Sequence, residues 1–140
     1  MKASLLKLFV FGLMLTFVDI SHAQIVKYHE HGETEELRIE YRWQRERIYT
    51  RKGNAVLNLQ LTNLQDQHRE LSFVIAFYRD KQIVFESEEN MLCFKPGQRR
   101  RGFASGLRFF AEGIGLDDVQ KDDFTWDILI RDLREVPGCD

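Results

Sequence analysis

"ELSFVIAFYR", residues Glu70–Arg79, decides the fold. Leu71, Phe73, Ile75 and Phe77 recur at every second position, and Val74, Ala76 and Tyr78 leave the opposite face largely apolar as well. A period of two belongs to an extended chain whose side chains alternate across a sheet. A strand apolar on both faces sits in the middle of a sheet, covered on one side and lined by neighbours on the other.

The flanking sequence continues the pattern on both sides. Downstream, Arg79-Asp80-Lys81 turns the chain and Ile83–Phe85 runs back as a short strand. Upstream, Leu57, Leu59 and Leu61 alternate with Asn58, Gln60 and Thr62 in a strand that fades at Asn63. Turn composition follows at Gln65–His68. Earlier still, Leu37, Ile39, Tyr41 and Trp43 alternate with Arg38, Glu40, Arg42 and Gln44, and Gly53-Asn54 supplies a turn. Met91–Phe94 reads as another strand. In Lys95-Pro96-Gly97-Gln98, Pro presets φ at the second turn position and Gly accepts positive φ at the third, as a type II turn requires. Met91–Phe94 and Arg99–Phe103 are therefore expected to be the arms of a hairpin. Leu116–Asp123 suits one helical turn, and Phe124, Trp126, Ile128 and Ile130 mark a last alternating strand.

About seven short strands separated by turn signals predict an all-β fold, an immunoglobulin-like antiparallel β-sandwich with at most one short helical turn. Of the chain's 11 Phe, 4 Tyr and 2 Trp, all but Phe9, Phe11 and Phe17 follow residue 23 and give so small a domain the means to build a core, because each large ring buries roughly 150–250 Å². Trp43 and Trp126 fall on the inward count of their strands.

The ends of the chain read differently. Lys2 and Lys7 open a stretch whose apolar run, Leu8–Val18, is interrupted only by Gly12 and Thr16, and Ser21-His22-Ala23 places small residues where a signal peptidase reads. Residues 1–23 are thus expected to be a cleaved secretory signal, its apolar run short of the roughly 20 residues that span a bilayer. The exported chain would begin at Gln24 and carry no transmembrane anchor. Residues 24–35 read as a polar tail without a clear period, 36–136 as the sandwich domain and 137–140 as a C-terminal tail. With 20 Lys and Arg against 22 Asp and Glu, the formal net charge is −2, and loss of Lys2, Lys7 and Asp19 shifts it to −3. A chain so balanced is not a general polyanion binder, so nucleic acid is not an expected partner.

The succession "LQLTN", "SFVIAFYRDKQIVFES" and "CFKPGQRRRGF" resembles the small FxLYD-type and related immunoglobulin-like domains of exported bacterial proteins. The likeness covers Leu57–Phe103 and rests on strand and turn residues: a strand ending in Asn, a strand ending in an aromatic and an Asp-Lys turn, then a Pro-Gly turn leading to a strand. It implies an extracytoplasmic binding or assembly module of mostly unknown role; the partner expected for the chain is another exported or envelope protein. It brings no catalytic residues.

Catalytic chemistry is poorly represented. The serines after the signal are Ser72, Ser87 and Ser105, and "GFASG" (Gly102–Gly106) sets its serine one position late for a nucleophile elbow. His68 lies in a polar turn. His29 and His31 offer two imidazoles without a third or fourth metal ligand. Glu86, Glu88 and Glu89, like Asp117, Asp118, Asp122 and Asp123, lack the alternating Asp/Asn-with-Gly pattern of a calcium loop. Gly113 and Gly115 mark a bend rather than a phosphate loop. No enzyme, metal or cofactor is expected.

Two features remain as candidate sites. Arg99, Arg100 and Arg101 lie beside a turn, where alternation points Arg99 and Arg101 one way and Arg100 the other. Such arginines commonly keep a sheet edge soluble; the competing reading is a site for a glycan or an anionic small molecule. Cys93 and Cys139 are the only cysteines, an even count that permits a disulfide in an exported chain.

Overall fold

The computed structural model describes residues 27–47 and 53–140. The expected signal, residues 1–23, lies outside the described residues. Two antiparallel sheets face each other across one core. The first contains β1 (His29–Glu33), β2 (Leu37–Arg45), β3 (Ala55–Asn63), β7 (Arg99–Arg101) and β8 (Arg108–Phe109), with β7 and β8 following one another along the same flank of β3. The second is built on β4 (Arg69–Arg79). One flank of β4 carries β5 (Gln82–Glu86) and β6 (Asn90–Phe94), and the other carries β9 (Phe124–Glu135).

The chain changes sheet between β3 and β4, between β6 and β7, and between β8 and β9. This is the immunoglobulin arrangement in which A, B and E share one sheet while C and F share the other. The described strands include no counterpart of the final G strand, which would lie beside β9 on the flank away from β4.

β4 is central, as its two apolar faces require. Leu71, Phe73, Ile75 and Phe77 meet Leu57, Leu59 and Leu61 of β3 inside the sandwich. Phe77 is the hub of the aromatic cluster, with Trp43, Phe85 and Phe124 at 5.4, 4.8 and 5.8 Å between ring centroids. The turn after β4 places Asp80 and Lys81 at positive φ (49° and 66°). That is the primed geometry whose twist matches a two-residue hairpin.

Several expectations need correction. Strands number nine among the described residues, against about seven expected. Besides α1 (Leu116–Val119), within the stretch expected to turn helically, a 3₁₀ turn spans Phe103–Ser105. The polar stretch 24–35 is not all tail, because His29–Glu33 pairs with β2 as an edge strand. That strand is held by ring contacts invisible to a periodicity count: His31 stacks on Trp126 at 4.0 Å and meets Tyr41 edge-on at 5.9 Å. Trp126 is accordingly half-buried at the rim, while Trp43 packs on Phe77 and Phe124.

The largest correction concerns the Pro-Gly turn. The turn is present, closed by Gln98 N–H donating to the Lys95 carbonyl at 3.0 Å, with Gly97 at φ 67°. Its arms do not form a hairpin: β6 pairs with β4 in the second sheet and β7 with β3 in the first. Phe94, fully buried, ends β6 inside the core, and the turn carries the chain across the open side of the sandwich.

Candidate functional site

Directly opposed residues in an antiparallel pair share a face, so the register of the first sheet fixes what its outer surface presents. Thr62 stands between Arg38 and Arg99, Gln60 between Glu40 and Arg101, and Asn58 between Arg42 and Arg108. Leu57, Leu59 and Leu61 take the alternate positions and point into the core. Arg99, Arg101 and Arg108 therefore occupy successive outward positions along β3, although six residues separate the last two. Same-face neighbours on a strand are about 6.8 Å apart, so the line is roughly 14 Å long.

The floor beneath is polar yet covered, which alternation alone did not indicate. Asn58, Gln60 and Thr62 are between 3% and 8% exposed, shielded by the aliphatic stems of long neighbours. Gln60 Nε2 donates to Glu40 Oε2 at 2.5 Å and Asn58 Nδ2 to the Val56 carbonyl at 3.3 Å. Thr62 Oγ1 and Arg108 Nε are buried without a hydrogen-bond partner.

Arginines elsewhere find carboxylates. Arg38 meets Glu33 at 2.6 Å, Arg69 meets Glu36 at 3.4 Å and Arg79 meets Asp118 at 3.5 Å. The hydrogen bond and charge of Glu33 raise the Arg38 guanidinium pKa above its ordinary value. Arg99, Arg101 and Arg108 form no ion pair among the described residues. Arg42 lies with its guanidinium 4.8 Å from the Tyr28 ring centroid. The acids of this face, Glu30, Glu33 and Glu40, sit on the β1–β2 side, so the β7–β8 side is the cationic one.

Arg100 is separate from this line. Its position opposite inward-facing Leu61 turns it between the sheets, where Nη1 donates to the Cys93 carbonyl at 3.0 Å and Nε to Ser105 Oγ at 3.2 Å. The three consecutive arginines thus divide, with Arg99 and Arg101 exposed and Arg100 half-buried. Arg108, Arg38 and Arg42 are their companions on the outer face. Their common face depends on strand register, which the sequence does not carry.

An apolar recess adjoins the line. Phe103, at the 3₁₀ turn, is 82% exposed and Phe110 is 47% exposed. With Val56, Arg108 and Glu46 they line a concavity of about 270 Å³. A second concavity of about 520 Å³, lined by His31, Tyr78, Lys81, Thr125, Trp126 and Asp127, lies at the rim where β1 approaches β9; there His31 Nε2 lies 3.3 Å from Asp127 Oδ1.

The flank of β9 is the other unusual surface. Ile75 spends its N–H on Ser87 Oγ (2.9 Å) and its carbonyl on the Ser87 N–H (2.8 Å). Its pairing with Ile128 on the opposite flank is therefore of the non-hydrogen-bonded kind. Ile128 turns its N–H away from β4, where its neighbour's Asp127 Oδ1 accepts it at 2.8 Å. By the same alternation Trp126 and Ile130 direct backbone groups outward. β9, 12 residues long, is paired on one flank only among the described residues.

The remaining sequence candidates do not gather into a catalytic or metal-binding group. Ser72 donates to Glu89, and no histidine takes part. Among the described residues no group of His, Cys, Asp and Glu converges as metal ligands. Asp118 of α1 accepts from the Gly115 N–H and from Lys121 and lies near Arg79. The Gly115 bond is the main reason its pKa falls below the ordinary carboxylate value. Cys93 and Cys139 lie at disulfide distance, their Cα atoms 5.6 Å apart. No helix among the described residues is long and apolar enough to cross a membrane.

Fold and surface together define a class: an antiparallel β-sandwich with a cysteine pair on its second sheet, an arginine-lined face and, among the described residues, one long unpaired strand flank. Compared with known protein families, curated proteins and solved structures, the chain matches none.

Proposed function

We propose that the protein is a non-enzymatic exported β-sandwich, periplasmic or extracellular, that acts as a protein-binding or envelope-assembly module. The observation that carries this reading is the unpaired flank of β9, which stands where the immunoglobulin order has its G strand. A flank whose backbone groups no strand pairs is a template for another strand, and an incoming strand would replace the Asp127 side chain that accepts the Ile128 N–H. Strand addition draws affinity from main-chain hydrogen bonds and specificity from alternate side chains. The partner is an extended segment of another exported protein, with an apolar residue opposite exposed Ile130. The resemblance of Leu57–Phe103 to exported immunoglobulin-like modules supports the same reading, as does a cysteine pair suited to an oxidising compartment.

The test places a photoreactive amino acid at Ile130 in the exporting cell and compares it with Ile130→Pro. Proline at an outward-facing edge position removes a donor without breaking the β4 ladder, so the fold should survive and strand addition should fail. The expected result is a covalent adduct with a defined envelope protein, together with slowed amide exchange at Trp126, Ile128 and Ile130 in the purified complex. A folded, exported protein that gives no adduct, or a complex in which those amides exchange as in the free protein, overturns the reading.

A further inference from the structure

We infer that the outer face of the first sheet is a docking surface for an anionic phospholipid bilayer, with Arg99, Arg101 and Arg108 meeting headgroup phosphates and Phe103 entering the interface. This inference does not depend on the β9 flank, which belongs to the other sheet.

Three observations converge on it. First, the arginine line is cationic and uncompensated: Arg38 is engaged by Glu33, whereas Arg99, Arg101 and Arg108 meet no carboxylate among the described residues. A phosphate oxygen is an acceptor that the geometry of the exposed Arg99 and Arg101 guanidinium groups matches. Second, the surface is a sheet face, so its guanidinium groups project to one side, as contact with a planar array of headgroups requires. Third, Phe103 stands on the 3₁₀ turn that leaves this same edge between β7 and β8, and it is 82% exposed. A phenyl ring left in water forgoes its burial free energy, and aromatic side chains flanked by cations recover it at the headgroup boundary. Phe110, 47% exposed, adds apolar surface beside Arg108 in the recess that Glu46 also lines.

Charge complementarity selects the occupant. The chain as a whole is slightly acidic, so attraction to an anionic bilayer has to come from one oriented face. Each arginine near an anionic surface contributes about 1 kcal/mol, equivalent to roughly a five-fold change in partitioning.

The experiment measures sedimentation of the purified mature chain with vesicles of phosphatidylcholine alone or mixed with phosphatidylglycerol. Parallel samples contain glycerol phosphate, heparin or single-stranded DNA. Binding is expected only to phosphatidylglycerol vesicles and should weaken with salt. Arg99→Gln and Arg101→Gln together should reduce it roughly 25-fold, and Phe103→Ala roughly ten-fold or more. Arg131→Gln, the loss of one positive charge on exposed β9, and Ile130→Pro should leave it unchanged. These positions are exposed, and unchanged thermal unfolding confirms that each variant is folded. Absence of binding to phosphatidylglycerol vesicles at low salt overturns the inference. So does binding to heparin or DNA that matches vesicle binding and ignores Phe103→Ala, which would make the face a site for soluble polyanions.

Discussion

Asn63 shows how much one buried polar residue can organise. Read along the chain, it is where the alternation of β3 gives out. In the fold it is almost wholly buried. Its Nδ2 donates to the carbonyls of Gln67 (2.8 Å) and Lys95 (3.1 Å), and its Oδ1 accepts from the Gln65 N–H (3.0 Å). One side chain thus ties the β3–β4 connection to the Pro-Gly crossing. Truncation leaves carbonyls and an N–H without partners in a dry place, each costing about 1–3 kcal/mol if nothing replaces the bond. Asn63→Ala should lower the unfolding free energy by about 2–4 kcal/mol in urea denaturation. A loss below roughly 0.5 kcal/mol would mean that water fully replaces the amide. The three partners belong to segments distant in sequence, so only the amide's position at a strand end was legible beforehand.

At the scale of elements, the same local chemistry can serve two topologies. Lys95-Pro96-Gly97-Gln98 forms the turn its residues demand, yet that turn joins β6 and β7 across the sandwich rather than within a sheet. Turn residues fix φ and ψ over a few positions; which strands then pair is settled by where Phe94 and Leu61 find their core. Gly97 holds φ at 67° with open space where a methyl group would stand, so backbone strain is the relevant penalty there. Gly97→Ala should destabilise the protein by about 1 kcal/mol. Gly32→Ala, also without a steric neighbour but free of positive φ, should change stability by less than about half of that. Equal effects in chemical denaturation would remove the turn strain as the cause.

For the whole molecule, the cysteine pair links the C-terminal residues to β6 across a sequence separation of 46. Chain-entropy arguments set a ceiling of roughly 4 kcal/mol for closing such a loop. Cys139→Ser should therefore lower the unfolding free energy by an amount below that ceiling, because the freed residues follow β9 and leave its pairing with β4 intact. Alkylation of the unreduced, denatured chain should modify no thiol, and two modified cysteines would contradict the pairing. The bond joins β6 to the residues after β9 within the second sheet, whereas Arg100, reaching from β7 to the Cys93 carbonyl, fastens one open side of the sandwich. His31 and Trp126 fasten the other.

The sequence by itself determined the class of fold, the central place of β4, the turns at Asp80-Lys81 and Pro96-Gly97, and the division of the consecutive arginines between two faces. Each follows from side-chain alternation or from φ preferences acting within a few residues. Tertiary structure decided the crossing after β6, the pairing of His29–Glu33 with β2, the burial of Asn58, Gln60 and Thr62, and the alignment of Arg108 with Arg99 and Arg101. Those depend on register and on contacts between segments far apart in the chain. Only the packing of two sheets around a shared core selects one such register, because a slip of one residue would turn Leu57, Leu59 and Leu61 out to water.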